Sequence, residues 1–364
     1  MIEPVFVTRQ LFVSISAHGF GHAVQTAVVV NALWERWPDL RVTLRTTLPR
    51  TVLAGFFSHD FELIEGADDV GMVMASPLKV LADETADAFE VFHAGWEGRV
   101  EAEAAALARL GPDLVFANVP YLTLAAAARA GITAVGMSSL NWAEPYWDYC
   151  GVRPEAARIH AEIVAAYRQA DLFLLPEPSM PMTWLPQTRT IDPLARIGAP
   201  RRTELCVALG VSAEQSLVLV TFGGISGHRV VPTLPREPDV MWLLQEPPEE
   251  GRSDVASIQA LGWPFPDLLR SVDAVVTKPS YGIVAEATCN GTRVLYLRRG
   301  DWAEETYLVD WLQRHAVCRE IQMTDLGGDE LISALRVLLD QPAKPAAAAT
   351  GGLEAADVLA AFLE

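Results

Sequence analysis

The 364-residue chain is short of several things, and each shortage closes off a class of function. It has four cysteines, Cys150, Cys206, Cys289 and Cys318, scattered without the spacing of a metal site or a redox pair. Such thiols are expected to stay reduced in a cytoplasmic protein rather than to staple a secreted one. No run approaches the ~18–20 consecutive apolar residues of a membrane span. The opening residues, "MIEPVFVTRQ", carry no basic region ahead of a long apolar stretch, so they do not read as a secretory signal. Positive charge is also scarce. Against 46 Asp and Glu stand 28 Lys and Arg, a net charge of −18. A chain of that sign repels nucleic acid and anionic lipid headgroups. An anionic ligand must then be held locally, by backbone N–H groups at a helix N-terminus for example.

What is present is a globular composition, 51% hydrophobic and 20% charged, long enough for two or three domains. Short apolar runs alternate with longer helical stretches. Strands are expected at 11–16, 41–47, 113–118, 133–138 and 172–177, and again at 216–221, 239–245, 273–277 and 293–297. Near-continuous apolar runs of this kind fit strands buried on both faces, and the alternation with helices fits βαβ units and parallel sheets. The stretch 176–200 holds six prolines and reads as a linker between two α/β domains. The expected division is an N-terminal Rossmann-like domain over 1–190 and a C-terminal one over 191–351. A last helix, 352–364, would pack back on the first domain through Leu353, Ala356, Val358, Leu359 and Phe362.

Three loops carry chemistry. In "SISAHGFGHAVQ" (14–25) a strand ends and a helix begins. Gly19 and Gly21 allow a sharp turn or a close approach to a ligand. His22 would sit on the first helical turn at the sheet's carboxyl edge, where open α/β sheets bind ligands and where a histidine takes protons near neutral pH. The competing reading is a glycine-rich turn with histidines capping the backbone. A zinc pair of His18 and His22 fits poorly, because the glycines between them break the helix that would set them one turn apart. In "TFGGISGH" (221–228), Gly223 and Gly224 would form an anion cradle after a strand, or merely a turn. In "TKPSYGIVAEA" (277–287), Lys278, Ser280, Tyr281 and Gly282 lie between a strand and a helix, a diphosphate-binding arrangement. Glu286, about one turn deeper, suits ribose hydroxyls. The following strand delivers "RRGDWAEE", whose Asp301, Glu304 and Glu305 either hold sugar hydroxyls or form a solvated acidic turn. No Asp-x-Asp pair stands at a strand end.

Together these motifs, "HGFGH", "FGG" and "KPSYGIVAEAT…LYLRRGDWAEE", resemble nucleotide-sugar glycosyltransferases of the GT-B fold, the MurG-like group of glycosyltransferase family 28 in particular. They are more similar still to the glycosyltransferase-like N-terminal half of plant L-arabinokinase. The order of features in "DLVFANVPYLTLAAAARAGITAVGMSSLNW" (113–142) matches as well, so the resemblance spans nearly the whole chain. It departs at Gln25, where the family loop has Arg. The sugar-kinase half is missing, so ATP-dependent sugar phosphorylation is not implied.

The resemblance implies two Rossmann-like domains facing each other across a cleft. The nucleotide-sugar donor, a UDP-sugar among the candidates, would lie on the C-terminal domain, with Ser280, Tyr281 and Gly282 at its diphosphate. Glu286 would meet its ribose, and Glu304 and Glu305 its sugar. A small acceptor would lie near His18 and His22. Transfer to a hydroxyl or amine would proceed with inversion, without metal or cofactor, and His22 would be the base. The residues leave open a nucleotide-sugar hydrolase or epimerase, and a sugar-nucleotide-binding protein without turnover. Segment 56–92, with nine Asp or Glu and one Lys, reads either as an acceptor region or as containing, in part, an acidic solvated helix. As an acceptor region it suits a soluble neutral or cationic acceptor and argues against strong binding to anionic membranes.

Overall fold

The computed structural model describes residues 9–223, 234–245 and 252–364. Two compact units form, unit 1 from Met1–Ala75, Val80–Leu194 and Thr350–Glu364, and unit 2 from Ser76–Lys79 and Ala195–Ala349.

Chain order opens with β1 (Gln10–Ile15), α1 (Gly21–Arg36), β2 (Arg41–Thr46), α2 (Arg50–Leu53), β3 (Glu62–Glu65) and the short strands β4 (Met74–Ser76) and β5 (Lys79–Val80). Then come α3 (Ala82–His93), α4 (Trp96–Leu110), β6 (Leu114–Asn118), α5 (Tyr121–Ala130), β7 (Ala134–Met137), α6 (Ala143–Cys150), α7 (Ala156–Tyr167), β8 (Leu172–Pro176) and β9 (Thr188–Ile191). The large sheet of unit 1 runs β3-β2-β1-β6-β7-β8-β9 and is parallel throughout. β6 and β7 are buried at every position, and β1 at all but its first. That is why they read as unbroken apolar runs. Strand order reverses between β1 and β6, where Ile15 pairs with Asn118.

Unit 2 continues with α8 (Arg202–Leu209), β10 (Ser216–Val220), β11 (Val240–Leu244), β12 (Val255–Ser257), α9 (Ile258–Leu261), α10 (Phe265–Ser271), β13 (Ala274–Thr277) and α11 (Tyr281–Asn290). It ends with β14 (Arg293–Tyr296), α12 (Glu305–His315), β15 (Cys318–Glu320) and α13 (Asp329–Leu339). Its parallel sheet runs β12-β11-β10-β13-β14-β15, reversing between β10 and β13. Trp242, Leu295, Leu335 and Leu338 lie in the core of this unit.

The last helix, α14 (Gly351–Leu363), packs on α1 within unit 1. Gly352 lies so close to α1 that a Cβ there would come within 2.6 Å of Val28 Cγ1. Arg36 pairs with Asp357 at 2.7 Å. The buried face differs from the expected one. Ala355, Leu359 and Leu363 are buried with Ala356 and Val358, whereas Leu353 and Phe362 are exposed. The linker reading of 176–200 also needs correction. Residues 188–191 form β9, an edge strand with only Ile191 buried, and the boundary between units falls after Leu194. With one apolar side chain inward, this strand carries almost no hydrophobic signature. Among the described residues no helix is long and apolar enough to cross a membrane.

Candidate functional site

Each unit brings its chemistry-bearing loops to the carboxyl edge of its sheet, at the point where strand order reverses, and open α/β sheets bind ligands there. In unit 1 the chain leaves β1, turns through Gly19 and starts α1 at Gly21, one residue ahead of His22. Gly19 has φ +74°, a left-handed conformation that a side chain strongly disfavours. His22 is 6% exposed, and its Nδ1 lies 2.8 Å from Asn118 Oδ1 at the end of β6. Asn118 Nδ2 donates to the His22 carbonyl at 3.3 Å and to Gln25 Oε1 at 3.1 Å. A backbone carbonyl only accepts, so the NH₂ of Asn118 must face it, and its oxygen must face the ring. Nδ1 therefore carries the proton in neutral His22, and Nε2 presents a lone pair. Burial pushes the imidazole below its ordinary proton affinity, and the Asn118 bond partly offsets this.

His18 stands on the same loop. Its Nδ1 accepts from the Met72 backbone N–H at 3.4 Å. The Trp142 ring meets both imidazoles in T-shaped contacts, with centroids 5.1 Å from His18 and 5.9 Å from His22. The Trp142 indole in turn donates to Asp69 Oδ2 at 2.8 Å. Asp69 is buried, which pushes its carboxyl up to about 7; the hydrogen bond from Trp142 opposes the shift, and neighbouring Asp68 adds to it. Asp68 is satisfied by Arg45 at 2.8 Å, Ser14 at 2.9 Å and Thr123 at 2.7 Å. Two of the nine acidic residues of segment 56–92 are therefore internal, while α3, which shares the segment with β3, β4 and β5, carries Asp83, Glu84, Asp87 and Glu90 exposed, so part of the segment is an acidic solvated helix.

In unit 2, β10 ends at Val220 and β13 at Thr277, side by side in the sheet. Gly223 has φ +89°, and a Cβ there would lie 3.7 Å from Lys278 Cε, so the two loops converge. Gly224 lies outside the described residues. Burial, reinforced by Arg299, pushes the Lys278 ammonium down to about 7, while Glu304 and Glu305 oppose the shift. α11 begins at Tyr281, one residue before the expected Gly282, with Ser280 as N-cap; that hydroxyl makes no capping bond. The helix has no acidic residue in its first turn, so its N–H groups point their positive end at the loop.

The three glutamates are placed differently from expectation. Glu286 lies in α11 as its spacing predicts, but it is buried and its carboxylate is engaged by Arg196, at 2.6 Å and 3.3 Å. Glu304 and Glu305 are 3% exposed each, which removes the solvated-turn reading for them; Asp301 is exposed. Glu305 is occupied within its own loop. It accepts from the backbone N–H of Arg299 at 2.8 Å and of Gly300 at 3.1 Å. Trp302 Nε1 donates to Glu304 at 3.4 Å. Arg299 lies over the Trp302 ring at 4.4 Å and donates to the Pro279 carbonyl at 3.4 Å, tying the late loop to the Lys278 loop. Sequence reasoning missed Asn118, Asp69, Trp142, Arg196 and Arg299. Only Asn118 left a trace, as a polar residue closing an apolar parallel strand.

No family model matches the chain. The chain is 25% identical over 328 residues to L-arabinokinase of Arabidopsis thaliana, a match that covers 86% of this chain and 30% of that protein. It therefore spans less than a third of the length of that relative. Among solved structures it resembles the glycotransferase of kitacinnamycin, with a TM-score of 0.67 at 16% identity over 98% of this chain and 100% of the other. CalG4, the calicheamicin glycosyltransferase, gives a TM-score of 0.62 at 16% identity over 98% of each chain. Medicago truncatula UGT71G1, solved with UDP-glucose, gives 0.57 at 12% identity over 96% and 93%. The fold is that of the GT-B glycosyltransferases. At such identities the likeness fixes fold, and chemistry must be argued from the residues.

Proposed function

We propose that the chain is a nucleotide-sugar glycosyltransferase that moves a sugar from a nucleoside diphosphate to a hydroxyl or amine of a small acceptor. The observation that carries this is His22, held at a strand-order reversal by Asn118, with its proton on Nδ1 and its lone pair on Nε2. Unit 2 supports it with a cradle suited to a diphosphate: Lys278, the Gly223 turn, Ser280 and the N–H groups around Tyr281 and Gly282. Solved structures of the same fold hold UDP-glucose or UDP, which makes a UDP-sugar the first donor to test. The MurG-like likeness rests on the three sequence motifs alone.

In the proposed reaction His22 Nε2 takes the acceptor proton as the acceptor atom attacks the anomeric carbon. The bond from that carbon to the diphosphate oxygen breaks, and the electron pair leaves with the nucleoside diphosphate. Attack opposite the leaving group inverts the anomeric centre. Lys278 and the α11 N-terminus meet the developing charge, the role a metal cation fills elsewhere. Glu286 and Glu304 remain candidates for donor hydroxyls, and His18 for the acceptor. Glu305 shapes the loop instead. The charge of −18 favours a soluble, neutral or cationic acceptor over an anionic membrane surface or nucleic acid, and the scattered cysteines suit the cytoplasm.

A thermal-shift screen of nucleoside diphosphates and sugar nucleotides finds the donor, because a ligand that binds only the folded state raises its melting temperature. Incubating that donor with and without acceptor mixtures then separates the reactions. A glycosylated product supports transfer. Free sugar from donor alone identifies a hydrolase, a changed sugar an epimerase, and binding without consumption a non-catalytic protein.

A further inference from the structure

Gln25, where the resembled loop has Arg, has a place in the structure that the transfer chemistry did not use. It is 4% exposed on α1, and its side-chain oxygen accepts from Asn118. Asn118 is fully buried and its side chain makes three bonds, to Gln25, to the His22 carbonyl and to the His22 ring. The first two permit one amide orientation only, and that orientation dictates the third. We propose that Asn118, locked by Gln25, is the residue that positions His22 as an uncharged base, holding its Nε2 lone pair toward the acceptor without a carboxylate behind the ring. The proposal rests on the reading of His22 as the base of glycosyl transfer.

The surroundings of the ring support a neutral arrangement. From β6 the facing group is the Asn118 amide, and from α1 it is Gln25. From the segment before α6 it is the Trp142 indole, with His18 at 5.1 Å from that indole and Asp69 bonded to its N–H. Burial and the Asn118 bond are the two causes that set the proton affinity of His22, with no charged side chain among them. A base without a counter-charge does not stabilise its own protonated form. It stays ready to accept a proton down to low pH, and it hands that proton on easily. A base must be unprotonated to work, so the rate is lost only as pH falls through a depressed proton affinity.

Two substitutions and one spectrum test this. Asn118→Leu removes the acceptor for Nδ1–H while keeping the branched shape of the side chain, and kcat is expected to fall at least ~10-fold, as loss of base function does, with donor KM unchanged. Asn118→Asp keeps an acceptor oxygen but adds charge. It is expected to retain activity and to move the acid limb of the kcat/KM profile upward by about one pH unit or more, since a carboxylate favours the imidazolium. Asp69→Asn serves as control and leaves that limb in place. Nitrogen-15 spectra of the wild-type histidines, assigned with His22→Gln, are expected to show neutral His22 protonated on Nδ1. The spectrum needs no turnover, so it tests the positioning even if no glycosyl transfer is found. An Nε2–H tautomer, an unchanged kcat in Asn118→Leu, or an acid limb that follows Asp69 rather than Asn118 overturns the proposal.

Discussion

Glu305 gives the sharpest division between a residue that shapes a site and one that touches a ligand. Its carboxylate accepts two backbone N–H bonds, from Arg299 at 2.8 Å and Gly300 at 3.1 Å, and lies 3.6 Å from the Arg299 guanidinium. Both side chains are about 95% buried, at 4% and 5% exposure. Hydrogen bonds to a charged group contribute about 1.5–3 kcal/mol each, and breaking a buried ion pair costs about 3–5 kcal/mol. Glu305→Ala is therefore expected to destabilise unit 2 by about 3–5 kcal/mol, which is about 10 °C in melting temperature for a domain of this size. Glu305→Gln keeps one acceptor oxygen and is expected to cost about half as much.

A contact to the donor sugar leads to a different result. Losing such a bond weakens a UDP-sugar by about 10-fold or more and leaves UDP itself unaffected, because UDP has no sugar to lose. Calorimetry with UDP and UDP-glucose, beside thermal unfolding of the same variant, reads both quantities. A Glu305→Gln protein that melts like wild type and discriminates against UDP-glucose alone would refute the assignment of Glu305 to the loop.

Four further outcomes follow from the geometry. His22→Ala is expected to lower kcat by ~10²–10⁴-fold with donor affinity unchanged, measured by stopped assays and calorimetry, since His22 belongs to unit 1 and the proposed donor cradle to unit 2. Lys278 loses its proton near pH 7 in the folded protein and near 10.5 when unfolded, so the unfolded state binds more protons between those values and stability rises with pH there. A diphosphate held in the proposed cradle would restore that proton; calorimetry of UDP at pH 8 in buffers of different ionisation enthalpy is expected to show uptake of close to one proton, lost in Lys278→Met. Asp69 runs the opposite way: with a folded value of about 7 against 3.8 unfolded, stability falls as pH rises from 4 to 7, by on the order of 4 kcal/mol, and urea titrations of Asp69→Asn are expected to lose that slope. Arg196→Ala leaves the buried Glu286 carboxylate without its partner and is expected to cost about 2 kcal/mol in urea unfolding, allowing for an arginine side chain that is 34% exposed.

Much of the architecture was written locally. Eight of the strands are apolar runs flanked by turn residues, and a strand buried on both faces announces itself that way whatever it pairs with, while β2 announces itself by alternation. The two glycine loops and the Lys278 loop follow such runs directly, so their place at the carboxyl edge of a parallel sheet followed from chain order alone. The marginal strands were not legible. β9 has one buried residue in four, β15 has none, and both lie at sheet edges where solvent replaces the apolar pattern.

The chemistry of individual side chains was decided only by tertiary structure. His22 and Asn118 are 96 residues apart and meet because β1 and β6 are neighbours across a strand-order reversal that no local pattern encodes. Asp69 and Trp142 meet over 73 residues. A carboxylate in a sequence has the same formula whether it faces water, a ligand or a backbone N–H, and burial distinguishes the three. Glu286 and Glu305 were found at the right places on the chain, but their partners, Arg196 and the Arg299–Gly300 backbone, came from the folded loops. Sequence determined which residues reach the edge of each sheet, because period and punctuation are local properties. What those residues do to one another depends on desolvation and on hydrogen-bond partners, and both are set by contacts between distant segments.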